Sequence, residues 1–418
     1  MLATLNDNAH DLYDLISDTY EVPPDNRTHY QWIRPLELPR GSETAATFSN
    51  SIVDKSFLHR SKEGNDPGDV QKLRKHWEII LLNLVYVMYQ RHWLLVPTSP
   101  DFYDEDNYWT SRMDISYRPM KAVVDFLKAG DFVEWREGKT YGQQPATTRI
   151  TPRPSLMWLL WQYFLDLEQP IEPPYLIVNS SDHRWEEITN LPKNHLEMQE
   201  LTKINEFLKE QQWACKAPLQ LQYENHSLKN GRLCTPFQNL PNTKVRLRIN
   251  TLINSKPICQ INFSANDLRL NLAFNRSTDP GDTPYEDIGE AAGISERQKV
   301  EDFFMIAMGS SDEKETRRLC HVKEINNHQF DALVSASKRI YPKLELFNRW
   351  DICAQQLEGK ILKQVMLECV QKEICALPVK NAMAVQKEHL VWVKETMLEC
   401  WDKHMGTNRW ARVKIDSP

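Results

Sequence analysis

Apolar side chains recur at helical spacing from Val70 to Leu95, with Leu73, Trp77, Ile80, Leu81, Leu84 and Val87 on one face. That period predicts a long amphipathic helix leading into a packed domain. A second helix is predicted over Ser116–Ala129: Asp114 or Ser116 can cap it, Pro119 sits in its first turn and Gly130 stops it. Two strand-like pieces follow, Phe132–Trp135 and Thr147–Thr151, around the polar hairpin Arg136–Ala146. Further on, Met198, Leu201, Ile204 and Leu208 mark one face of a helix over Leu191–Trp213, which leads to a strand-like Leu219–Tyr223. The apolar run Pro257–Phe263 reads as a strand continuing towards Arg269. Helices are predicted from Ser295 to Gly309, from Leu357 to Glu373 and from Lys387 to His404. This mixture of helices and strands predicts an α+β, multi-domain chain.

The punctuation divides the chain into a polar segment over 1–68, a unit over 69–155, a helical bridging segment over 156–230 and a final domain over 231–418. With 418 residues there is enough chain for two or three cores, and a net charge of -6 means that any nucleic-acid surface must be a local patch. The beginning of the sequence is acidic and polar, without a basic stretch and apolar run of a secretory signal. Ile79–Val96 is the most apolar stretch, but Gln90, Arg91 and His92 interrupt it, so a buried helix is expected rather than a membrane span. Eight cysteines are scattered without a CxxC pair, which suits reduced thiols and a cytoplasmic location. No GxSxG, HExxH or Walker lysine loop is present, and His321 and His328 sit on polar stretches. A hydrolase is therefore unsupported.

Helix, helix, then hairpin is an order that resembles a winged helix-turn-helix. The resemblance implies that Ser116–Lys128 enters a DNA major groove, with Arg112, Arg118, Lys121 and Lys128 on phosphates or base edges and Lys139 and Arg149 on the wing. Winged helices also dock proteins, and Asp114, Asp125 and Asp131 weaken the positive field, so both uses stay open.

From Gly231 to Trp401 the order of motifs resembles an A-family DNA polymerase of phage or mobile-element type. The run GRLCTPFQNLP (Gly231–Pro241) is similar to the thumb-to-palm entry. Ile261-Asn262-Phe263-Ser264-Ala265-Asn266-Asp267-Leu268-Arg269 is similar to motif A, written Asp-Tyr-Ser-x-x-Glu-x-Arg, with Asn262 at the metal-binding aspartate position and the shorter Asp267 at that of the glutamate. The helix Arg297–Gly309 resembles motif B, and in that register the triphosphate-gripping lysine position falls on Glu301. Lys299 is two residues away, a turn of roughly 200° around a helix, and cannot stand in. Pro378-Val379-Lys380-Asn381 resembles the Val-His-Asp turn of motif C, with Lys380 for His and Asn381 for Asp.

The resemblance implies a palm and fingers whose chemistry has been undone. Nucleotide transfer there uses two Mg²⁺ ions held by two carboxylates, and magnesium prefers anionic oxygens. Asn262 and Asn381 supply neither charge, Lys380 repels a divalent cation and Glu301 repels a triphosphate. No cofactor is expected, Mg²⁺ entering only if both aspartates are restored. Asp-to-Asn changes could be engineered, but Lys380 and Glu301 favour natural degeneration. Ser264, Asp267, Arg269 and Arg297 fall at nucleotide-pocket positions, and Lys244, Arg246, Arg248, Arg317, Arg318 and Lys323 are candidate backbone contacts. Three functions follow: a pseudo-polymerase binding primer–template or single-stranded DNA in a phage, plasmid or defence system; a polymerase disabled by the two asparagines; or a protein-interaction subunit of a replication or defence complex. No membrane role is expected.

Overall fold

The computed structural model describes residues 22–25, 30–58, 67–104, 113–138, 147–179, 185–188, 195–223, 231–240, 242 and 246–418. Its contacts divide the chain into two units. The first holds residues up to 191 together with 208–219 and 235–255, the second 192–207, 220–234 and 256–418. The bridging segment read from the sequence over 156–230 is thus divided between them.

In the first unit a short strand β1 (Tyr30–Trp32) precedes the long helix α1 (Pro67–Gln90). The apolar period that predicted a helix to Leu95 overran its end. The helix stops at Gln90, Arg91 takes a positive φ, and Trp93–Pro97 is a fully buried strand, β2. The polar Gln90-Arg91-His92 falls at the break, but apolar residues continue beyond it, and a short apolar run fits a buried helix and a buried strand equally well. Helix α2 (Tyr117–Ala129), then β3 (Val133–Arg136) and β4 (Thr147–Pro152), complete the unit's sheet in the order β1-β2-β4-β3. β2 and β3 both run antiparallel to β4, and β1 runs parallel to β2. Ser116 is the N-cap of α2 without a side-chain cap bond. Its backbone N–H instead donates to His76 Nε2 at 2.9 Å, while His76 Nδ1 donates to the Lys72 carbonyl at 2.7 Å. Burial holds His76 below the ordinary imidazole range, which suits the neutral ring those two bonds require.

The second unit is built on an antiparallel sheet. Strand β7 (Lys256–Phe263) lies between β9 (Ala382–Gln386) and β10 (Val413–Asp416), and β8 (Ala376–Val379) pairs with β9 on its far side. Two further strands, β5 (Gln220–Tyr223) and β6 (Arg232–Cys234), pair with each other. The strand read as running to Arg269 ends at Phe263; Ala265 takes a positive φ and Asn266–Phe274 turns back as helix α4. Helices α5 (Pro284–Ala292), α6 (Arg297–Gly309), α7 (Glu313–Val322) and α8 (Asn327–Ile340) follow. Helix α9 starts at Trp350 rather than Leu357 and runs to Gln371, and α10 (Leu390–Met405) packs against it. The helix expected over Leu191–Trp213 is α3, Leu196–Lys209. Phe303, Phe304 and Phe330 are fully buried and meet edge-on, so the first two serve as core, not as stacking platforms.

No described helix is long and apolar enough to cross a membrane. All eight cysteines are free thiols, seven of them buried.

Candidate functional site

The motif A and motif C segments meet in the second unit. Asn262 is aligned with Ala382 across the β7–β9 ladder, and the two-residue turn between β8 and β9 consists of Lys380 and Asn381. Phe263 N–H donates to the Asn381 carbonyl at 3.1 Å, and Asn381 Nδ2 lies 3.5 Å from the Phe263 carbonyl. Lys380 holds a φ of 53°, a left-handed conformation that costs a non-glycine residue. Two motifs separated by more than a hundred residues are therefore brought to one edge of the sheet.

Beside that edge is a cavity of about 240 Å³ lined by Arg232 and Leu233 from β6, Asp267 from α4, Asp351, Gln355, Glu358, Gly359 and Leu362 from α9, and Lys380 and Asn381. A close approach shapes it: a Cβ on Gly359 would come within 3.0 Å of the Gly231 carbonyl, so α9 lies against the start of β6 only because that position is bare. Asn266 on α4 links two further groups: its Nδ2 donates to Glu358 Oε1 at 2.6 Å, and its Oδ1 accepts from Trp401 Nε1 at 3.0 Å.

Three carboxylates crowd this cavity. Burial, then the charge of Asp351, raises Asp267 above the ordinary carboxylate range. Glu358 is pushed up to about 8, by burial first and Asp267 second, against the opposing pull of Asn266 and Arg232. Both residues are half-buried at the cavity wall. Burial and a neighbouring negative charge act on both in the same direction.

The donor set does not fit a pair of magnesium ions. Asn262 Oδ1 already accepts from Gln260 Nε2 at 2.5 Å, its amide is neutral, and Lys380 adjoins Asn381. Among the described residues no group of three acidic, His or Cys side chains has metal-holding geometry.

The remaining candidates are spread more widely. Arg269 is only 1% exposed, and its guanidinium donates to the carbonyls of Ser264, Trp410 and Gly281 at 3.0, 2.9 and 2.7 Å. It fastens loops together and does not open onto a nucleotide pocket. Ser264 N–H is bonded to the Arg412 carbonyl at 2.8 Å. Arg297 is bracketed by Glu301, at 2.7 Å, and by Glu286, so the motif B helix presents a neutralised arginine. Arg317 pairs with Glu313 and Asp331 and covers the Phe330 ring; Arg318 is exposed, and Lys323 lies 3.6 Å from Asp302.

In the first unit Arg118 and Lys121 are exposed on α2, but Lys121 pairs with Asp125. Lys128 covers the Trp135 ring. Arg149 is bound to Tyr30, the Glu137 carbonyl and Asp25, and Arg248 holds the carbonyls of Gln238 and Leu240. Both therefore brace local structure. Arg246 is exposed. Arg112, Lys139 and Lys244 lie outside the described residues.

Sequence reading missed Arg232, Asp351 and Glu358. Arg232 stood within the quoted GRLCTPFQNLP run and carried a signal. Glu358 carried none: Asn266, its partner, is 92 positions away.

No protein-family model matches the chain, and no curated protein matches it. Among solved structures, the POL domain of Pol1 from M. smegmatis, in complex with DNA primer-template and dNTP, is similar over 83% of this chain and 68% of that chain. Sequence identity is 10% and the TM-score is 0.31. The likeness is loose, and no residue role is transferred from it.

Proposed function

We propose that the second unit is a polymerase-like palm that binds nucleic acid without extending it. The observation that carries this reading is the meeting of Asn262, Lys380 and Asn381 at one sheet edge, beside a cavity with Arg232 on its rim. Neutral amides there remove the charge that would hold magnesium, while exposed Arg232 and Lys380 remain available to a phosphate backbone. Glu301, paired with Arg297, leaves the motif B helix without a triphosphate grip.

The first unit adds a second contact. Its helix–strand–helix–hairpin order resembles a winged helix, and Arg118 on the exposed face of α2 would be its leading cation. Phosphate contacts release counterions, so binding of a labelled primer–template duplex should weaken steeply as salt rises from 50 to 200 mM. Arg232→Ala should lower affinity and flatten that slope; unchanged binding would remove the palm from the interface. Absence of binding at low salt would leave a protein-interaction role.

A second reading, a polymerase disabled at two positions, is favoured by the placement of Asn381 against Phe263, at the end of the strand that carries Asn262. Asn262→Asp/Asn381→Asp would then extend a primer. Lys380 and Glu301 oppose that outcome.

A further inference from the structure

Building on the nucleic-acid-binding reading, we propose that the palm cavity is a proton-gated anion site, accepting a phosphate-bearing group against Arg232 and Lys380 only while Glu358 holds a proton. At about 240 Å³ the cavity is smaller than the pockets that enclose whole drug-sized ligands, and it suits one tetrahedral anion. Arg232 offers a planar fork and Lys380 a point charge, two donors suited to such a group. Glu358 shares their cavity, and its charge decides whether the site is balanced or repulsive to anions.

The groups facing Glu358 come from every side. Asp267 projects from α4, Asp351 from the first turn of α9, Arg232 from β6 and Lys380 from the β8–β9 turn. Lys363, five residues further along α9, is held by Glu200 at 2.6 Å and Glu197 at 3.5 Å. On α10, Cys400 acts on Cys369, and His404 is held low by burial and by the charge of Lys360; neither Cys400 nor His404 lines the cavity. On α6, Arg297 and Glu301 are paired with each other. Asn266 orients the Glu358 carboxyl at 2.6 Å and is itself held by Trp401, so the gate is fixed in place. Burial and the charge of Asp267 raise Glu358, so its carboxyl keeps the proton to a higher pH than an ordinary glutamate does.

The test measures binding of inorganic sulfate and of a short single-stranded oligodeoxyadenylate without terminal phosphates between pH 6.5 and pH 9. Both probes keep a constant charge over that range, so any pH dependence belongs to the protein. Affinity should fall about tenfold as the protonated fraction declines. Glu358→Gln should bind with little pH dependence, and Arg232→Ala should lose binding at pH 6.5. A pH response with sulfate alone identifies a free anion as the occupant; a response with the oligonucleotide identifies a backbone phosphate. If wild type and Glu358→Gln lose affinity in parallel, or neither probe binds at pH 6.5, the gate is overturned. Oligonucleotide binding that is salt-sensitive but flat in pH would sink the gate alone and leave the nucleic-acid reading standing.

Discussion

Among single residues, the buried polar ones explain more than the exposed charges. Arg269 ends in three backbone carbonyls and near Asp279, so truncation strands all of them. Arg269→Ala should destabilise the second unit by about 3 kcal/mol or more, read as an earlier urea midpoint; a loss below ~1 kcal/mol would mean the loops do not depend on it. Asn266 supplies a donor to Glu358 and an acceptor to Trp401, and Asn266→Ala should cost about 1–3 kcal/mol in the same measurement. Glu358 makes stability depend on pH. Its folded-state pKa is raised, so its contribution is complete at acid pH and declines as pH rises from the ordinary glutamate value towards 8. Glu358→Gln should therefore gain stability relative to wild type between pH 5 and pH 8. A constant difference across that window would mean that the group titrates normally. None of these roles could be read from sequence, because Asn266, Glu358 and Trp401 meet only in three dimensions.

Elements were easier to read where one period ran uninterrupted. Helix α2 was predicted over Ser116–Ala129 and spans Tyr117–Ala129, and the hairpin strands fall where turn residues bounded them. The misses have physical causes. Helix α1 and strand β2 flank the polar Gln90-Arg91-His92, where Arg91 takes its positive φ, and the apolar residues on either side hid that stop. Motif A looked like one strand because Ala265, an ordinary residue, makes the left-handed turn into α4. The contact between α9 and β6 offers a sharp test. In an open helix Gly359→Ala would stabilise by up to ~1 kcal/mol through helix propensity. Here the new Cβ meets the Gly231 carbonyl at 3.0 Å, and the variant should instead lose about 1–2 kcal/mol. Stabilisation would show that α9 and β6 can separate freely, and with them the cavity wall.

Across the whole molecule, a net charge of -6 confines any polyanion contact to local sites, and most candidate arginines turned out to brace the protein. Arg149, Arg248, Arg297 and Arg317 all find partners inside their own units. A count of basic residues in the sequence could not foresee this, since it does not say which carboxylate or carbonyl each will meet. The motif order did carry information: it named Asn262, Lys380 and Asn381, and these converge. On the proposed reading this edge binds nucleic acid without extending it, and primer extension by the unaltered chain is the decisive measurement. With primer–template DNA, all four dNTPs and either Mg²⁺ or Mn²⁺, no primer should lengthen, while the same preparation binds the duplex in a salt-sensitive way. Extension by the unaltered chain in Mg²⁺ would contradict the account, because it would mean that Asn262 and Asn381 do not prevent metal-assisted transfer.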